Sequence, residues 1–234
     1  MKLKLFATTA LLALSLGASA QYGDSYETTD YWGPSSEHAR AVSATSYEGW
    51  SSIWLEYNAA KLDFNKGIDD ESLTGFSFGY SQAVPITTSA PVFVETGFGV
   101  QYTYKKDFMD ADDIKFEMFS CKVPINLIYE FAIPNSEIRV DPFAGVSLRY
   151  NISAKLSDDD DDADMFDEND MGKGNTLSRF QAGWQVGLKL RFGTNFMAGV
   201  SYGSDFSNIW ETDKKSYNVK AKANMTTFTL AFGF

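Results

Sequence analysis

The last nine residues, Thr226-Thr-Phe-Thr-Leu-Ala-Phe-Gly-Phe234, alternate without a break and stop on an aromatic side chain. Phe228, Leu230, Phe232 and Phe234 fall on one face; Thr227, Thr229, Ala231 and Gly233 fall on the other. Period two with one apolar face and one small or polar face is a β-strand. In water such a strand exposes an apolar stripe and invites edge-to-edge aggregation. Against lipid the stripe is satisfied, provided the strand closes a barrel that leaves no free edge. The pattern therefore constrains the solvent as well as the fold.

The same alternation predicts eight strands, at 50–63, 72–86, 91–107, 113–133, 137–156, 177–193, 194–210 and 218–234. In the fourth, Phe119, Cys121, Val123, Ile125, Leu127, Tyr129 and Phe131 share a face, with Ile128 an apolar exception on the other. In the fifth, Ile138, Val140, Ala144, Val146, Leu148, Tyr150 and Ile152 do the same, and in the sixth Phe180, Ala182, Trp184, Val186, Leu188, Leu190 and Phe192. Strands one, two and seven alternate less cleanly. Pro124 lacks the N–H that a closed ladder uses, so a local distortion is expected there without a change of frame.

Connections sort by parity. Those after strands two, four and six are short, and those after one, three, five and seven are longer or highly charged. Short turns at one rim and long loops at the other describe an outer-membrane barrel with both termini in the periplasm. A soluble eight-stranded barrel would put its apolar face inside. Here the opposite face is rich in Gly, Ser and Thr, which suits a narrow lumen better than a solvent face. Aromatics at the strand ends fit two interfacial girdles: Tyr102, Tyr104, Tyr150, Phe180 and Tyr202 at one, and Tyr129, Phe131, Phe192, Phe196 and Phe234 at the other.

The N-terminus carries an address. Lys2 and Lys4 precede an apolar stretch from Leu5 to Leu16, and Ala18-Ser19-Ala20 fits signal cleavage between Ala20 and Gln21. After Gln21 no run reaches the length of a spanning helix, so any membrane crossing is by strands. The expected organisation is a signal peptide at 1–20, a periplasmic segment at 21–49 and a barrel at 50–234. The formal charge of −11 becomes −13 without the two signal lysines, which argues against nucleic acid. Cys121 and His38 are the only residues of their types. An internal disulfide and a multi-histidine zinc site are thereby excluded. His38 would sit in the periplasmic segment with no nucleophile motif beside it.

Strands four and five carry a resemblance. Lys122-Val-Pro-Ile-Asn-Leu-Ile-Tyr-Glu-Phe131 and Val140-Asp-Pro-Phe-Ala-Gly-Val-Ser-Leu-Arg-Tyr-Asn151 resemble the PorT-like outer-membrane β-barrel family of the Bacteroidetes. The resemblance extends over residues 50–234. It implies a barrel and, for the founding member, a link to protein secretion; it implies no catalytic residues.

Three features are candidates for function. Glu95, Glu130, Arg139, Asp141, Lys189 and Arg191 fall on the lumen face near the short-turn end, with Glu95–Arg139 and Glu130–Arg191 as expected pairs. Buried charges are costly unless paired, so they are read as a plug network, with a narrow pore as the alternative. Asp158, Asp160, Asp162 and Asp164 lie in an acidic loop that reads first as a solvated like-charge run, next as a weak Ca²⁺ site, and last as a contact for a basic surface partner or for lipopolysaccharide bridged through divalent ions; its spacing is not that of an EF-hand. Phe234 is the expected assembly signal.

The reading is an all-β, eight-stranded antiparallel up-and-down transmembrane barrel of the smallest size, in the outer membrane of a Gram-negative bacterium. No enzyme activity and no cofactor are expected. A structural, surface-interaction or secretion-accessory role is favoured over a pore for ions or small solutes. A membrane-embedded hydrolase ranks last, for want of a histidine near the long loops. Expected partners are outer-membrane lipid, the barrel-assembly machinery, and a secretion complex or surface partner.

Overall fold

The computed structural model describes residues 47–65, 69–87, 90–110, 113–158, 162–171, 175–193, 195–212 and 220–234. The signal segment, the Ala20–Gln21 junction, His38 and Asp160 lie outside the described residues.

Eight long strands form where alternation is sustained: β1 Trp50–Phe64, β2 Glu71–Pro85, β3 Val92–Lys105, β4 Lys115–Tyr129, β5 Ile138–Ser157, β6 Phe180–Phe192, β7 Phe196–Asp205 and β8 Lys220–Gly233. Each pairs antiparallel with the next. β8 then pairs with β1, from Ser52↔Gly233 to Phe64↔Ala221. The barrel is closed, so no edge is left to aggregate. The connections at one end are 86–91, 130–137 and 193–195; at the other, 106–114, 158–179 and 206–219 are longer, while 65–70 is charged but only as long as 86–91. Two of the tight turns use left-handed backbone, at Asn135 (φ 60°) and Gly193 (φ 62°), both residue types that tolerate it.

Register fixes the barrel's girth. Partners followed around the wall from Ser51 run through Gln82, Thr96, Ile125, Val146, Trp184, Ser204 and Asn224. The circuit returns to β1 at Lys61, ten residues further along. With ordinary rise and strand spacing, that stagger tilts the strands by roughly 40°. An interior of this size is filled by its own side chains.

Polarity inverts along the strands. Near the short-turn end of β1, Ile53, Leu55 and Tyr57 point outward and Ser52, Glu56 and Asn58 inward. Beyond Ala60 the order is reversed: Lys61 and Asp63 are outside, while Leu62 and Phe64 are buried inside. β2, β4 and β8 reverse likewise, turning Leu73, Phe116, Met118, Ala221 and Ala223 inward. The lower part of the wall meets lipid; the upper part encloses an apolar core as a soluble β-domain does.

That upper part is roofed by the long loops. Phe108, Met165, Leu177 and Ile209 join Leu62, Phe64, Leu73, Phe116 and Met118 in one buried cluster. β6 and β7 stop short of this level, and loop segments replace them in the wall. Asp162–Asp164 pairs with β5, Met165 N–H donates to Ala154, and Leu177 N–H donates to Met165. Asn175–Leu177 then pairs with Trp210–Thr212, which pairs with β8. The hydrogen-bond circuit thus closes a second time above the membrane.

Two departures from strict alternation have local causes. Register shifts opposite Phe119/Ser120, where Phe119 faces Ser153 and Ser120 faces Asn151. Ile152 is the extra residue, and this bulge turns Ala154 into the cap core although alternation from Ile138 would put it outside. Pro124 pairs in frame with Ser147, as expected. Ile128, the apolar exception of β4, is buried inside with Ala83 and Phe93.

Candidate functional site

The candidate site is the lumen, because charged side chains are concentrated there out of water. Trp54 lies across it. Its register partners around the wall are Gly79, Gly99, Lys122, Arg149 and Gln181. A Cβ at Gly79 or Gly99 would run into the Trp54 ring, so the two glycines are the space that the indole occupies. Lys122 completes the layer, with Nζ 5.6 Å from the ring centroid and donating to Glu56 at 2.7 Å.

Below this layer, Lys189 Nζ donates to both oxygens of Glu95 at 2.6 Å. Asn126 Nδ2 donates to Glu95 at 2.9 Å, Ser81 Oγ at 3.1 Å, and Gln185 Nε2 reaches Asn126 Oδ1 at 2.6 Å. Gln185 crosses over Gly145, where any side chain would collide with Asn126. On the upper side, Arg149 pairs with Asp205, both almost fully buried. Glu56, Glu95 and Asp205 are thus matched one to one by Lys122, Lys189 and Arg149.

Apolar side chains close both ends. At the short-turn end Phe93 (1% exposed) and Ile128 (0%) pack with Ala83, Tyr47, Trp50 and Phe143. Arg191 sits there too, its guanidinium 3.6 Å from the Trp50 ring, donating to Asp141 at 2.7 Å and paired with Glu130 at 2.9 Å. At the other end lies the cap core.

Of the six charges expected in the lumen, Glu95, Glu130, Asp141, Lys189 and Arg191 are there. Arg139 is not: its side chain is 45% exposed at the rim. The expected Glu95–Arg139 pair does not form. Arg139 reaches Glu130 at 3.4 Å, and Lys189 takes its place at Glu95, because stagger brings β6 and not the base of β5 across from β3. Glu130–Arg191 forms as expected. Sequence reasoning missed Glu56, Lys122, Arg149 and Asp205 as network members. Their signal was a charge on a small-residue face, but each partner lies more than fifty positions away.

The acidic loop folds back on itself. Asp164 N–H donates to Asp170 at 2.9 Å, Phe166 N–H donates to Asp164 at 2.9 Å, and Lys155 pairs with Asp162 at 3.6 Å. The Ser157 side chain, with Lys155 beside it, holds the Asp162 carboxyl below the usual carboxylate range. Among the described residues, no three acidic, His or Cys side chains converge where a metal ion would be held. Cys121 is half-buried on the lipid face. Phe234 is on the outer surface at the short-turn rim, its main chain exchanging two hydrogen bonds with Ser51.

The chain is similar to several solved structures. These include Neisserial surface protein A, NspA (16% identity, 79% of this chain and 97% of that one, TM-score 0.46). Ail, the attachment invasion locus protein of Yersinia pestis, is another (18%, 80% and 100%, TM-score 0.45). The outer membrane enzyme PagL is a third (15%, 74% and 97%, TM-score 0.38). No curated protein matches the sequence. Residues 54–230, nearly the whole wall from Trp54 to Leu230, match the outer membrane protein beta-barrel domain, and the chain belongs to that family.

Proposed function

We propose that this protein is a non-conducting, non-enzymatic outer-membrane barrel whose working part is the cap above the membrane. The observation that carries the reading is the construction of the lumen: matched ion pairs in the middle and apolar clusters across both ends. A conducting path needs a continuous polar lining, and here Phe93 and Ile128 interrupt it below, Leu62, Phe64 and Phe116 above. The cap, in contrast, has its own buried core and a second ring of backbone hydrogen bonds, which suits a rigid surface for another macromolecule. Carboxylates of its acidic loop are engaged by Lys155 at the end of β5 and by backbone amides of the same loop, which favours recognition over hydrolysis. Within the family, residues 122–131 and 140–151 support a PorT-like relationship, and with it a secretion-accessory role as one form of surface interaction. Export by a signal cleaved after Ala20, with Phe234 read by the assembly machinery, completes the proposal.

Planar-bilayer recording of the refolded full chain tests it. No discrete current steps are expected, and reproducible single-channel steps would turn the reading to a narrow pore. Incubation with outer-membrane lipid should release no fatty acid. In a deletion strain, a chain with 158–179 replaced by a short turn should still insert and yet fail to restore the phenotype.

A further inference from the structure

The cap carries a pocket that lies outside both the ion-pair layers of the lumen and the buried cap core. Its volume is about 430 Å³, and it sits between the start of β4, the end of β5 and the acidic loop. Ile114 and Leu156, half-buried against the cap core, form its floor with Ala163, which pairs with Leu156. Asp158, Asp162 and Asp170 are exposed and form its rim. Among the described residues that line it there is no lysine or arginine. A pocket of this size is in the range that takes a small organic group.

The lining selects what that group can be. A metal ion needs oxygens that converge on one point, and among the described residues no three acidic side chains do so. An anion is repelled, and a purely apolar group leaves the rim unmatched. A lysine or arginine side chain fits both parts, because it buries an apolar stem and keeps its charged head at the surface. The rim can receive that head. Lys155 reaches Asp162 only at 3.6 Å, with the two side chains 50% and 59% exposed, so an incoming cation displaces it at little cost. A single contact to exposed carboxylates is weak, and useful affinity needs several cations on one chain. Asp164 and Asp167, both exposed, extend the acidic surface beyond the pocket for such a chain, on a protein of net charge −11.

We infer that this pocket docks a basic segment of a partner protein. One lysine or arginine stem enters over Leu156 and Ala163, its head meets the rim carboxylates, and neighbouring cations lie along the acidic loop. The inference rests on the reading of the cap as the working part and gives its partner a chemistry.

Fluorescence anisotropy of a labelled short oligolysine, titrated with the refolded full chain in detergent micelles, tests it. The comparison probe is an equally long oligomer of 2,4-diaminobutyric acid, whose stem is shorter; about pH 6 keeps the amines of both protonated. Expected is saturable binding of oligolysine, at least about ten-fold tighter than that of the short-stem oligomer. Asp158→Asn/Asp162→Asn, checked for heat-modifiable folding, should weaken oligolysine by at least about ten-fold. Asp63→Asn/Asp69→Asn removes the same charge from exposed positions elsewhere above the membrane and should bind like the parent. Equal binding of the two oligomers overturns the pocket, since charge alone would then suffice, and that comparison needs no variant. Equal weakening by the two double variants overturns it too, as a diffuse field. Displacement of oligolysine by spermidine at matched amine concentration would make the site one for a free polyamine and overturn the partner protein. Absence of binding overturns the inference as well, while the replacement of 158–179 in the deletion strain still tests the cap reading by itself.

Discussion

Two stretches of the same strands obey the same geometry and opposite chemistry. In the membrane, outward side chains are Ile53, Leu55, Phe76, Phe78, Phe228 and Leu230, and the interior holds ion pairs. In the cap, outward side chains are Lys61, Asp63, Glu117 and Lys222, and the interior holds Leu62, Phe64, Phe116 and Met118. Alternation is a property of the backbone; which face is apolar is a property of the surroundings. The inversion therefore marks where lipid ends. The two stretches also fill their interiors differently: below with charges that are costly once a partner is lost, above by ordinary hydrophobic burial.

That difference sets the order of the effects expected from substitution. Lys189→Ala leaves Glu95 buried beside Asn126 and Ser81 without its cation, and should cost about 3–5 kcal/mol in urea unfolding of the refolded barrel. Adding Glu95→Gln should recover most of it; no recovery would mean that charge pairing is not what the lower lumen depends on. Phe116→Ala empties the cap core, where Phe116 stacks on Phe108 at 5.1 Å, and should cost about 3 kcal/mol. Its signature is local: faster proteolysis of 158–179 with the membrane barrel still heat-modifiable. If both regions melted together, the cap would not be a separable unit.

The outward faces give a matched pair of smaller size. Phe78→Lys puts a charge into the lipid-facing band and should cost about 2–4 kcal/mol in the same titration. Lys61→Leu, on the same wall above the inversion, should leave the unfolding midpoint essentially where it is, although Lys61 pairs with Asp70 at 2.6 Å, because the pair is exposed and screened by solvent. Equal costs for the two would erase the proposed water line. Arg139→Ala should be as small, since its side chain is at the rim and Arg191 already serves Glu130. Deleting Phe234 should lower the yield of assembled barrel and leave the stability of the assembled fraction unchanged.

Much of this could be read from the chain. The strand count, the parity of the connections, the outward apolar face and Pro124 staying in frame all follow from period two and turn chemistry. The weak alternation of β1 and β2 was legible too, had it been taken as a change of phase. Ile53–Leu55–Tyr57 and Leu62–Phe64 occupy opposite parities, and Phe76–Phe78–Tyr80 and Leu73 do the same. The bulge at Ile152 left no comparable mark, because its signal is only the failure of Ala154 to stay on its expected face.

The charge partners belong to the tertiary structure. Glu95 in β3 meets Lys189 in β6, Glu56 meets Lys122 and Arg149 meets Asp205, over separations of 94, 66 and 56 positions. Which residues face each other across a lumen depends on the ten-residue stagger, and stagger is a property of the closed circuit that no single strand carries. What the sequence determined alone is which faces exist and what each solvent must be. Closure decided who meets whom on the inside, for the physical reason that the ten-residue stagger is the sum of all eight registers and is carried by no single strand.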